Sequence, residues 1–130
     1  MTLCAVALQE VGIDVEYLRA LPSALELAQR YFTPSETQQL LSLTEPERIH
    51  AFFACWTRKE AYIKALGKGL FQSLKEFEVS LLPSEPPCLK RIQHAPLEEK
   101  QWSLFSFEPH SNYIAALAIQ NIHCQIQMMP

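Results

Sequence analysis

Apolar and polar positions alternate near the start of the chain, in "CAVAL" at residues 4–8 and again in "VGIDVE" around Gly12. This predicts one or two extended segments. From Pro22 to Phe32 the period lengthens: Leu25, Ala28 and Phe32 recur at helical spacing. A second, short helix is expected at "TPSE", where Thr33 can cap, Pro34 suits the first helical position and Glu36 completes a capping box. "TEPE" repeats the signature with Thr44 and Glu47. It opens the longest predicted helix, roughly Glu45 to Leu66, with Ile49, Phe52, Phe53, Trp56 and Ile63 on its apolar side. Gly67 is placed to end it.

Beyond Gly69 the pattern becomes strand-like in "FEVSLL" (77–82), "WSLFSFE" (102–108) and "YIAALAI" (113–119). The prolines of "LLPSEPP" forbid regular pairing and predict a loop, while "EPHSN" joins the last two strands as a hairpin. The order of elements predicts one α+β domain over 1–130. A long helix packs on a small antiparallel sheet whose last three strands form a meander.

Composition narrows the function classes. With 48% apolar and 19% charged residues the chain can build a core, and a net charge of −3 speaks against a nucleic-acid binder. No run of apolar residues is long enough to predict a membrane span, and "MTLCAVALQEVG" has no basic segment before its apolar stretch, so it is not read as a signal peptide. Cys4, Cys55, Cys88 and Cys124 are scattered and form no CxxC pair, which predicts reduced thiols in a cytoplasmic protein. His50, His94, His110 and His123 are equally dispersed and suggest no metal site.

The acidic total hides a local basic patch: Arg58, Lys59, Lys64 and Lys68 fall within "WTRKEAYIKALGKG". In "GIDVE", Asp14 and Glu16 stand two apart on an extended stretch and so share a face. Adjacent carboxylates repel unless a cation or proton lies between them, and hard oxygen ligands suit Mg²⁺ better than zinc. A solvated strand end would explain the doublet equally well. On the long helix, Glu60 and Lys64 are four apart and could form a simple surface pair. That pairing leaves Lys59 and Lys68 unexplained. Glu60 joining Asp14 and Glu16 at a metal, with lysines facing phosphate oxygens, would use them all.

"GIDVE", "RYFTPSE" and "WTRKEAYIKALGKGL", in this order, together resemble the 4′-phosphopantetheinyl transferases of the long, Sfp-like type, and the resemblance weakens beyond about Leu82. The resemblance implies a half-domain of that fold. It also implies transfer of the phosphopantetheine arm from coenzyme A to a serine of an acyl or peptidyl carrier protein, with Mg²⁺ bound. Asp14, Glu16 and Glu60 would be the metal ligands, and Glu60 would also serve or position the general base. Lys64 would contact the diphosphate of coenzyme A and assist the leaving group, with Lys59 and Lys68 as further phosphate contacts. Glu36 matches the family's middle glutamate as well as a capping box, and Trp56 reads as core packing.

Long-type members contain two similar halves, and this chain matches the second alone. The short type, holo-acyl-carrier-protein synthase, has single-half subunits, but its helix lacks a Trp at this position. A lone half is expected to expose an apolar face and to self-associate, with a dimer imitating the two-half architecture favoured over a trimer. Two alternatives to the transferase stand beside it: a non-catalytic half-domain that keeps only the fold and metal or coenzyme A binding, and a partner-binding module.

Overall fold

A computed structural model describes residues 1–5, 10–67, 73–93, 95, 97–120 and 126–128. The alternation around Gly12 becomes strand β1 (Val11–Tyr17), and the "YIAALAI" run becomes β5 (Tyr113–Ile119). They pair antiparallel from Val11 opposite Ile119 to Tyr17 opposite Tyr113. β4 (Ser103–Phe107) lines the other side of β5, so the sheet order is β1-β5-β4. Asn112, at a φ of 63°, lies in the predicted β4–β5 turn.

The expected three-strand meander is not formed. β2 is only Phe77–Val79 and pairs with β3 (Leu89–Ile92), a strand the alternation did not reveal, in a separate two-stranded sheet. The place beside the last hairpin is taken by β1 from the far end of the chain. In the predicted extended segment 4–8, Cys4 and Ala5 are not in a strand, and residues 6–8 lie outside the described residues.

α1 (Ala24–Tyr31) and α2 (Pro34–Leu41) appear where helical spacing put them. The Thr33 hydroxyl accepts the Glu36 N–H at 3.2 Å, and Glu36 Oε1 accepts the Thr33 N–H at 2.9 Å, completing the capping box. The second box is absent. α3 (Glu47–Ala65) begins after Pro46 without a side-chain cap, and the Thr44 carbonyl, not its hydroxyl, accepts the Arg48 N–H at 2.9 Å. Arg48 instead serves the helix before it, donating to the carbonyls of Leu40 at 3.1 Å and Leu43 at 2.7 Å, which the end of a helix leaves without internal partners.

α3 is the axis of the molecule. One side meets α1 and α2 through Phe32, Phe52 and Trp56, with Phe52 and Trp56 stacked at 6.2 Å, so Trp56, half-buried, packs against the core. The other side lies on the three-stranded sheet. Residues directly opposite in antiparallel strands share a face, so Gly12, Ala118 and Leu104 form one row of that face, with Asp14, Ala116 and Ser106 in the next. Small residues on neighbouring strands let the helix settle deep onto the sheet. At Gly12 the approach is absolute: a Cβ would stand 2.0 Å from the Ala61 carbonyl oxygen and 2.4 Å from the Ala65 nitrogen. Both obstacles are helix backbone, so no rotamer change relieves the clash. Gly12→Ala is expected to force β1 away from α3 and cost about 3 kcal/mol or more, read as a lowered urea midpoint. A midpoint within a few tenths of a molar of the parent would contradict this packing.

Candidate functional site

Along β1 the face that holds Gly12 continues to Asp14 and Glu16, because period 2 keeps all three on the α3 side of the strand. The spacing G-x-D-x-E thus has a mechanical reading. Glycine seats the strand on the helix, and the carboxylates emerge further along the same contact line. Across from them, Glu60 and Lys64 stand one helical turn apart on α3. Lys64 Nζ donates to Asp14 Oδ1 at 2.7 Å, so the lysine bridges helix to strand and does not pair with its helical neighbour Glu60.

The electrostatics show how close the acids lie. Glu60 is drawn above the usual glutamate range first by burial and then by the charge of Asp14, with Lys64 opposing and Glu16 adding to the rise. Burial likewise lifts Asp14, partly offset by the hydrogen bond and charge of Lys64. Asp14 Oδ2 is buried without a hydrogen-bond partner among the described residues. Glu16 turns to Arg19, whose Nη1 lies 3.5 Å from Glu16 Oε2. As the side chains stand, no three acids, cysteines or histidines among the described residues are gathered around one point. The donor chemistry nevertheless fits a hard divalent cation. All three groups are carboxylates on facing elements, Asp14 Oδ2 is buried and unsatisfied, and Arg19 and Lys64, the cations paired with Glu16 and Asp14, are about half-exposed. A cavity of about 230 Å³ opens beside Asp14 and Lys64, lined also by Met1, Thr2, Leu3, Ile13 and Val15.

The remaining basic residues part ways. Lys59, expected as a phosphate contact, is wholly buried. Its Nζ donates to the carbonyls of Leu74 and Phe77 and pairs with Glu36 Oε1 at 2.9 Å, which uses all three of its protons. Lys59 faces away from the carboxylates by one residue of helical rotation and cannot reach a diphosphate there. Glu36 is buried with it and also accepts the Val79 N–H at 2.8 Å through Oε2. The capping-box glutamate therefore ties α2, α3 and β2 together. Arg58 is structural too, donating to the Ser80 carbonyl at 2.6 Å and to Ser106 Oγ at 2.8 Å. Lys68 lies outside the described residues. Sequence reasoning passed over Arg19; its only trace was a basic residue three positions after Glu16.

The profile of the superfamily described as "ACPS: 4′-phosphopantetheinyl transferase superfamily" matches residues 10–118, so the chain belongs to that superfamily. It is 42% identical over 120 residues to the 4′-phosphopantetheinyl transferase HetI of Nostoc sp., covering 92% of this chain and 47% of HetI. It is 39% identical over 79 residues to the 4′-phosphopantetheinyl transferase Sfp of Bacillus subtilis, covering 61% of this chain and 34% of Sfp. The chain spans less than half the length of these relatives. Among solved structures, the holo-[acyl-carrier-protein] synthase of Thermotoga maritima superposes with a TM-score of 0.58 at 27% identity, covering 86% of this chain and 62% of that one. The ACPS–CoA complex of Chronobacterium ammoniagenes shares the fold at a TM-score of 0.60 and 21% identity, covering 86% of this chain and 96% of that one.

The fate of Lys59 is directly testable. Lys59→Met leaves the Glu36 carboxylate buried without its cation and is expected to cost about 3–5 kcal/mol in urea denaturation. A ligand-contacting lysine would instead leave the midpoint in place and weaken only binding.

Proposed function

We propose that this domain transfers the 4′-phosphopantetheine arm from coenzyme A to a serine hydroxyl of an acyl or peptidyl carrier protein. The observation that carries the reading is the facing of Asp14 and Glu16 on β1 by Glu60 and Lys64 on α3, in a chain of this superfamily. Asp14, Glu16 and Glu60 would hold Mg²⁺, which when bound neutralises charge on the diphosphate of coenzyme A. Glu60, which faces the strand carboxylates from α3, would also take the serine proton or position the group that does. The serine oxygen then forms its bond to the near phosphorus of the diphosphate. The phosphoanhydride bond breaks, and 3′,5′-adenosine diphosphate departs. Lys64, half-exposed and reaching across from α3, would donate to the leaving phosphate. Carrier protein, coenzyme A and a cytoplasmic setting all belong to this proposal.

Two variants and a mass spectrum test it. Incubation with apo-carrier protein, Mg²⁺ and coenzyme A should add one phosphopantetheine mass to the carrier. Glu60→Gln should lower the rate by roughly a hundredfold or more, in line with loss of a general base, and Lys64→Met should also slow transfer. Glu60→Gln turning over at the parent's rate would defeat the assignment.

Self-association belongs to the same reading. Around the carboxylates, the cations among the described residues are Lys64 and Arg19, a thin supply for a nucleotide diphosphate. The sheet also has a second apolar face: Ile13, Val15, Leu117, Phe105 and Phe107 are all part-exposed and stand outside the core cluster. A second copy seated there would cover apolar surface. Light scattering at micromolar concentration should give a dimer mass that Phe105→Asp reduces to the monomer's. A monomer mass for the parent chain would refute the dimer.

A further inference from the structure

We propose that Arg19 and Lys64 are built-in counter-ions of the carboxylate cluster, Arg19 on Glu16 and Lys64 on Asp14, and that a divalent cation binds by displacing both. The inference rests on the reading of the cluster as a divalent-cation site and adds to it a residue, Arg19, and a binding mode. The two cations come from different segments. Arg19 follows β1 in the chain, and Lys64 stands in the last turn of α3. Each holds one of the two carboxylates of β1, so two single charges do what one double charge would do, and exchange leaves the cluster's total charge unchanged.

Both pairs are suited to release. The Arg19 and Lys64 side chains are 44% and 51% exposed and their carboxylate partners 30% and 12%, and an ion pair whose cation reaches solvent holds weakly. Arg19 has a resting place that does not depend on Glu16. Its Nη1 donates to the Tyr17 carbonyl at 2.7 Å, and its guanidinium lies 4.9 Å over the ring of Phe53. It can therefore give up the 3.5 Å contact with Glu16 and remain at the rim of the site. The fully buried Lys59–Glu36 pair marks the contrast, since every donor of that lysine is committed. Displacement also links the divalent ion to an anionic ligand. Each frees or occupies the same two cations, so each must strengthen binding of the other by the same factor.

Mn²⁺ binding, followed by the electron paramagnetic resonance of the free ion with Mg²⁺ as competitor, tests the displacement without any turnover. Arg19→Gln and Lys64→Met are each expected to bind Mn²⁺ roughly twofold to fivefold more tightly than the parent, the size of an exposed ion pair. Arg19→Lys, which keeps the charge, should stay near the parent. Lys90→Gln, which removes a cation paired with Glu85 away from the cluster, should leave the affinity unchanged. Equal or weaker binding by Arg19→Gln and Lys64→Met overturns the displacement while leaving the divalent-cation site intact. Binding by the two variants and not by the parent at millimolar Mn²⁺ supports it. Failure of parent and variants alike overturns both the displacement and the divalent-cation site.

Discussion

Everything at the site depends on the absence of one side chain. Gly12 lets β1 touch the backbone of α3 at Ala61 and Ala65, closer than any Cβ would allow. That contact sets the height and rotation of the helix over the sheet. Two residues further along the strand, Asp14 meets Lys64, one residue before the helical position that Gly12 touches. A helix held a side chain's width further out would stretch the 2.7 Å hydrogen bond from Lys64 to Asp14. The alanines of β5 continue the same close seat across the sheet, and Ser106 on β4 reaches Arg58 from it.

A second constraint comes from inside. The helix that carries Glu60 and Lys64 also carries Arg58 and Lys59, and the four charges have opposite fates because successive residues turn by about 100° around a helix. Lys59 is turned into the interior, where Glu36 and two carbonyls surround it; Arg58 is turned towards Ser80 and Ser106. These buried charges pin α2, β2 and β4 to α3. Buried ion pairs are poor sources of net stability, but removing one partner is costly, so they enforce one packing over others. The rigid frame they create is what a cluster of mutually repelling carboxylates requires.

The residues of the acidic cluster come from two elements of this chain, β1 and α3. Strand, helix and both flanking charges come from within about fifty residues of one another, so the acidic cluster does not need a second half to be assembled.

The sequence by itself determined the elements with local causes. The Thr33–Glu36 cap, the long helix, the last two strands and the shared face of Asp14 and Glu16 all follow from spacing, capping chemistry and period 2. Periodicity also put Glu60 and Lys64 on one face. Only the tertiary structure decided which strand lies beside β5 and that β2 pairs with the short β3, because strand pairing joins residues far apart in the chain and leaves no local mark. It also decided which lysine is buried. Lys59 and Lys64 read alike as basic residues on a helix. What separates them is the arrival of Glu36 and the carbonyls of Leu74 and Phe77 at one of them and of Asp14 at the other.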